Sequence, residues 1–266
     1  MPVFDNCIIQ APDGVTLSRC GIKKLKWYVS RGLAERVGEN PPTIRLKFEP
    51  RGRDGLDDPL LTDGKPNICV VCGTTEDLTK HHIVPYSFVK HMAVDKKVDV
   101  IHDIYPLCRY HHTEYERLST DRRKEMAKEF GVPLYGLDPD DLQPFARGIK
   151  SATALLRHGD NIPDDRKEML TANVKTFLKI EREPTLQELK DVANFRMKDH
   201  ENYVNFSQHV AGQYEDLEEF AKEWRIHFME TMKPQFMPDN WSVDRGFSAV
   251  WIPSRFLNQV KNQNDS

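Results

Sequence analysis

The chain has 266 residues, 39% of them hydrophobic and 30% charged, with a formal net charge of −3. This composition excludes collagen-like, low-complexity and wholly disordered classes. No run approaches the roughly 20 apolar residues of a membrane span, and the first residues lack the basic and apolar regions of a signal peptide. A soluble protein of the cytoplasm, with no membrane partner, is expected.

The near-neutral total averages unlike regions. Between Arg19 and Arg53 ten Lys or Arg face three acids, whereas from Asn161 onward 14 basic residues face 18 acidic ones. A polyanion contact is expected of the first region and a solvated or protein-facing surface of the last.

In chain order, residues 1–65 read as a basic hairpin, helix and strand module. Short apolar runs flank the turn Pro12-Asp13-Gly14, which predicts a hairpin. Ile22, Leu25, Val29, Leu33 and Val37 recur at helical spacing, with Lys23, Lys24, Lys26 and Arg31 between them. Trp27 and Tyr28 among these cations give the stretch the aromatic-plus-basic look of a nucleic-acid surface. Alternation over Thr43–Glu49 predicts a strand. A turn-rich linker runs from Arg51 to Pro66. Cys7 and Cys20 read as buried thiols, with pairing across the hairpin or a second metal as the alternatives.

Residues 66–130 hold the chemistry-bearing cluster. Cys69-x2-Cys72 and Cys108-x2-His111 are two ligand pairs at knuckle spacing, and thiolates with a neutral imidazole suit a closed tetrahedral structural Zn2+. Six of the ten histidines fall in the same stretch. In the pairs His81-His82 and His111-His112, adjacent side chains point different ways. With His111 in the closed site, a separate cluster of His81, His82 and His112 is left. Tyr86, Lys90 and Arg109 nearby read equally as phosphate contacts or as the coat of a small domain. Helices are expected at Thr113–Leu118 and Asp121–Phe130, followed by a Gly- and Pro-rich loop through Pro144.

Residues 131–266 read as a mainly α-helical region, with helices over 164–179, 185–197 and 215–232. Thr185 and Glu188 form a capping-box pattern. Leu217, Phe220, Trp224 and Phe228 line one face of the last helix, for packing or a partner contact. The tail from Gln259 is polar.

The pattern Cys69-x2-Cys72, His81-His82-Ile-Val-Pro85, Asp103-Ile-x2-Leu107-Cys108-x2-His111-His112 resembles the HNH endonucleases, the ββα-metal nucleases, over about residues 67–118. The resemblance implies an α+β protein in which a small zinc-stapled ββα-metal (HNH) module is flanked by the N-terminal α+β segment and the helical C-terminal region. It implies His82 as general base, with His81 and His112 as ligands of a catalytic divalent cation. Mg2+, Mn2+, Ni2+ and Zn2+ all suit such ligands. Asp103 stands where the family has Asn, a departure that adds charge and either orients the base or draws the metal closer; His102 adjoins it.

The function expected from this resemblance is metal-dependent endonucleolytic hydrolysis of DNA. Lys23, Lys24, Lys26 and Arg31 would contact the duplex, and the C-terminal helices would serve a protein partner or self-association. The alternative is a zinc-stapled nucleic-acid-binding protein that does not cut.

Overall fold

A computed structural model describes residues 2–50, 62–92 and 103–244; most of the predicted linker, His102 and the tail from Gln259 lie outside these described residues. The fold is α+β and divides into two compact units, Met1–Asp121 with Gln213–Ser266, and Arg122–Gly212.

In the first unit, β1 (Cys7–Gln10) and β2 (Thr16–Cys20) pair as the antiparallel hairpin that the Pro-Asp-Gly turn predicts. Gly14 sits there at φ +92°, a conformation that favours glycine. Helix α1 (Ile22–Ser30) is shorter than its periodicity predicts. Gly32, at φ +68°, closes it: its amide bonds the Val29 carbonyl, and the Leu33 amide reaches back to Tyr28. This paired cap ends the helix, and the residues expected to extend it become β3 (Ala34–Glu39). Strand β4 (Pro42–Leu46) stops three residues before the predicted Glu49, because Leu46 is already paired with Ala34 at the start of β3. The sheet order is β2-β1-β4-β3, with β1 and β4 parallel. Leu25 of α1 packs over Ile9 and Ile44 to form its core.

The second sheet is a ribbon of β5 (Leu78–His82) and β6 (Ile104–Cys108), antiparallel from Leu78↔Cys108 to His82↔Ile104. A short helix, α2 (Tyr86–Val89), follows β5. Helix α3 (Arg109–Glu129) runs unbroken through the two segments expected separately. Ser119 and Thr120 do not interrupt it: Ser119 is buried, and the Thr120 hydroxyl folds back onto the Glu116 carbonyl at 2.7 Å.

The second unit is helical, with α4 (Pro139–His158), α5 (Asp164–Leu178) and α6 (Leu186–Asn194). The expected loop is present over residues 131–138, but its last six residues, through Pro144, are instead the start of α4. Pro139 is at the first turn, where a missing amide costs nothing. Pro144 and Asp140 are exposed, so the carbonyl that Pro144 leaves without an amide faces water. Ala152, Val174 and Val192 form the shared core. Thr185 and Glu188 make both bonds of the predicted capping box.

Helix α7 (Phe206–Gln213) leads to α8 (Leu217–Met232), which belongs with the first unit. Phe228 and Met232 join Val70, Ile83, Tyr105, Leu107 and Tyr115 in the core beneath the ribbon. Phe220 and Trp224 lie against Phe88, with ring centroids at 5.1 and 5.7 Å. The apolar face of α8, expected to serve packing or a partner, is thus occupied within this unit.

Gly148 of α4 supplies a test of the helical unit. A Cβ there would lie 2.7 Å from Phe177 Cβ, whereas one at Gly159 meets nothing within 4 Å. Gly148→Val is expected to lower stability by about 1–3 kcal/mol through overpacking, and Gly159→Ala to be neutral or to raise it by up to about 1 kcal/mol. Urea unfolding followed by far-UV circular dichroism separates the two.

Candidate metal centre

The ribbon's pleat sorts the site. Successive side chains of a strand point to opposite faces, so Thr79 and His81 share one face of β5 while Lys80 and His82 share the other. The first face meets α3, which carries His112 and Glu116.

Cys69, Cys72, Cys108 and His111 bring one ligand atom each to within 4.8 Å of the others. Cys108 ends β6 and His111 lies in the first turn of α3. The Cys69–Gly73 turn is shaped by bonds from the Cys69 amide to the Thr74 carbonyl and from the Gly73 amide to the Cys69 carbonyl, both 2.8 Å. Gly73 has φ +77°, and a Cβ on it would fall 2.7 Å from the Phe236 ring, so the position requires glycine. The Phe236 amide in turn donates to the Val70 carbonyl.

The Sγ atoms of Cys69 and Cys108 lie 3.6 and 3.2 Å from His111 Nδ1. Zinc bond lengths of about 2.3 Å to sulfur and 2.0 Å to nitrogen imply S···N edges near roughly 3.5 Å, so the donor set fits this ion. Burial by itself raises the Cys69 thiol, but the amides around Cys108, Cys72 and Val71 hold it below its usual value, favouring the thiolate.

A second group comprises His81, His112 and Glu116, again within 4.8 Å. His81 Nδ1 and His112 Nε2 each lie 3.7 Å from Glu116 Oε1. His81 is 4% exposed, boxed edge-on by His112 and Tyr115 and stacked over Phe228. Burial, then the proximity of His112 and His82, pushes its pKa down to about 3, so the ring is neutral and its lone pair available. Its Nε2 is buried without a hydrogen-bond partner, and the ring's polar engagement is through Nδ1.

His112 is oriented by Thr79. The Thr79 hydroxyl donates to the Leu107 carbonyl at 3.1 Å and lies 2.6 Å from His112 Nδ1. With its one proton so engaged, it accepts from Nδ1–H, which leaves the Nε2 lone pair facing Glu116.

Glu116 was not identified from the sequence, although the signal was available: it stands four residues after His112 on a helix, hence on the same face. His82 is not in this group. It is half-buried on the opposite face of β5, its ring 5.5 Å from Tyr86. Burial, then Lys65 and His112, lowers its pKa, which keeps it neutral.

Asp103 is not in the group either. It is 1% exposed; Arg225 donates to its Oδ2 from Nε and Nη2 at 3.0 and 2.9 Å, and Trp241 Nε1 donates to its Oδ1 at 3.1 Å. Its carbonyl accepts the Ile83 amide at 2.9 Å. Neither Arg225 nor Trp241 carries a sequence signal at this distance along the chain. Lys23, Lys24, Lys26 and Arg31 are exposed on or beside α1, where Arg31 stacks over Trp27 at 5.7 Å.

No family model matches the chain, and no solved structure does. Similar curated proteins are Exonuclease 3'-5' domain-containing protein 2 of Homo sapiens, 31% identical over 94% of this chain and 41% of that protein, and its namesake of Drosophila melanogaster, 32% identical over 94% and 44%. Protein RRP6-like 3 of Arabidopsis thaliana is 36% identical over 66% of this chain and 22% of its own length. The chain therefore spans about two fifths of the length of the first of these relatives.

These findings correct the resemblance drawn from the cysteine and histidine pattern. Relatives aligned over 94% of the chain are named for a 3'-5' exonuclease domain and not as HNH endonucleases. The assignment to the HNH endonucleases, and the HNH-type endonuclease reaction expected with it, do not stand. The two ligand groups are observations of geometry and are independent of that assignment.

The buried Asp103–Arg225 pair generates a stability test. Arg225→Met leaves Asp103 buried and uncompensated and is expected to cost about 3–5 kcal/mol. Adding Asp103→Asn should recover much of that loss. Urea unfolding followed by tryptophan fluorescence checks both, and equal stabilities of wild type and Arg225→Met would contradict the pairing.

Proposed function

We propose that the chain is a divalent-metal-dependent module hydrolysing nucleic-acid phosphodiester bonds, DNA being the substrate, with a structural zinc at Cys69, Cys72, Cys108 and His111 and a catalytic cation at His81, His112 and Glu116. The observation that carries this reading is the convergence of two imidazoles and a carboxylate within 4.8 Å beside a separate group of three thiols and an imidazole. Two positions with unlike donors have unlike uses. Three sulfurs and a nitrogen close a tetrahedron and leave no open position, whereas two nitrogens and one oxygen leave several. Those open positions suit a catalytic cation, so the chemistry is assigned to the His81 group. The exonuclease named in the relatives lends the reading its reaction class: a phosphodiester is broken.

A cation held there supplies charge neutralisation at the scissile phosphate. The remaining work falls to the chain. His81 and His112 present fixed lone pairs, the first through its aromatic box and the second through Thr79. His82, on the opposite face of the ribbon, is given no part at this cation. Lys23, Lys24, Lys26 and Arg31 are proposed to hold the duplex through its phosphates, which positions it without reading sequence.

Two measurements test this. Oligonucleotides labelled at either end, incubated with the protein and a panel of Mg2+, Mn2+, Ni2+ and Zn2+, are expected to be hydrolysed with at least one metal. Loss of the 3' label ahead of a 5'-labelled ladder would identify digestion from that end. His112→Ala and Glu116→Gln are each expected to lower turnover by about 100-fold or more, a scale common for lost electrostatic stabilisation, without loss of the tetrad metal. Absence of hydrolysis with every metal would overturn the reading.

The zinc is tested separately. Elemental analysis is expected to find about one tightly held zinc per chain, lost in Cys69→Ser or Cys108→Ser together with folding of the first unit. A folded, zinc-free wild type would overturn the structural site.

A further inference from the structure

Helix α1 divides into two unlike faces. Leu25, 1% exposed, enters the core of the four-stranded sheet, with Ile22, Tyr28 and Val29 packed beside it. Two residues on, and so about 200° around the helix, Trp27 stands on the far side and is 49% exposed. A large aromatic ring in that position adds nothing to the core. The charged residues of the helix, Lys23, Lys24 and Lys26, are all basic and all exposed, and α1 carries no acid. The opposite-charge pairs that support a solvated helix are therefore not open to it within α1.

The outer flank has an order. Lys23 lies four residues before Trp27 and Arg31 four after, so cation, ring and cation follow one line over about 12 Å. The Arg31 guanidinium lies over the Trp27 ring, 5.7 Å from its centroid, and the Tyr28 ring meets it edge-on at 5.1 Å. These contacts orient the indole and still leave about half of the residue in solvent. The amino end of the helix is already served, since Asp5 Oδ2 accepts the Ile22 amide at 2.8 Å. What α1 offers a ligand is its flank and not its end.

We propose that this flank is a stacking platform for single-stranded nucleic acid, Trp27 receiving the face of an unpaired base and Lys23 and Arg31 the phosphates on either side. This rests on the reading that these cations meet nucleic acid, and it adds that the strand lying on α1 is unpaired, such as a tail running off the duplex. Charge alone suits any polyanion; the exposed indole is what selects. In a duplex each base face is taken up by stacking on its neighbours, and the backbone presents phosphates and sugars only. In a single strand the faces are open, and aromatic rings set among cations bind it. Every base has such a face, so the platform reads no sequence. Lys24 and Lys26 lie to either side of the line and add to its field.

The test uses the full chain with hydrolysis blocked by Glu116→Gln, titrated by anisotropy with a fluorescein-labelled oligothymidylate and with a blunt-ended DNA hairpin of equal charge. The single strand is expected to bind more tightly than the hairpin. Trp27→Ala is expected to weaken binding of the single strand about fivefold or more, and that of the hairpin less than about twofold. Its log–log salt slope should not change, because no phosphate contact is lost. Trp27→Phe should restore most of the affinity. Lys23→Gln should instead flatten the slope on the single strand by about 0.7, the value for one phosphate. Trp27 lies outside the core, and far-UV circular dichroism checks that its variants keep the fold.

Equal losses on strand and hairpin in Trp27→Ala, or no loss on either, overturn the platform; a wild type that hydrolyses DNA then leaves the proposed function standing without it. A loss confined to the single strand, in a protein that hydrolyses nothing with any metal, leaves the platform standing and overturns the proposed function. Displacement of the oligothymidylate by polyglutamate as effectively as by an unlabelled strand of equal charge also overturns the platform, since the flank would then fit an acidic protein equally.

Discussion

Five residue pairs joining two short strands do not hold a fixed geometry in water unaided. The β5–β6 ribbon depends on being pinned at both ends. At one end Cys108 enters the thiol and imidazole group with Cys69, Cys72 and His111. At the other, Asp103, immediately before β6, is gripped by Arg225 and Trp241 while its carbonyl takes the Ile83 amide just after β5. Between these pins the register is fixed, and with it the alternation that sends His81 toward α3 and His82 away from it. A slip of one residue would exchange the two. Every chemical property assigned to the centre follows from that alternation.

The part of this arrangement legible in the sequence was the part encoded at short range. The knuckle spacings of Cys69-x2-Cys72 and Cys108-x2-His111, the Gly14 turn and the Thr185–Glu188 capping box each lie within a few residues. Helical ends were less legible. The α1 periodicity continues through Leu33 and Val37, but the Gly32 cap overrides it, and the competing strand pairing with β4 is a tertiary fact. Pro144 argued for a loop, yet the packing of α4 on Phe177 and Val174 carries the helix through it.

The long-range partners could not be read. Arg225 and Trp241 meet Asp103 across more than a hundred residues, and nothing near them in sequence marks either as its partner. Glu116 was within reach as the i+4 neighbour of His112, but an acidic residue on a charged helix usually reads as solvated surface. The family resemblance, drawn from the cysteine and histidine pattern of a fifth of the chain, gave way to relatives aligned over nearly all of it. A closed metal knuckle is a local solution to stabilising a small ribbon, and its spacing does not by itself specify what the neighbouring site does.

The ribbon's register is proposed to rest on a metal held by Cys69, Cys72, Cys108 and His111, separate from the His81 group. X-ray absorption at the zinc edge, on the full chain purified with its metal, tests it most directly. The predicted first shell is three sulfurs at about 2.3 Å and one nitrogen at about 2.0 Å, unchanged in His112→Ala. A shell of oxygen and nitrogen without sulfur, or one altered by His112→Ala, would contradict it.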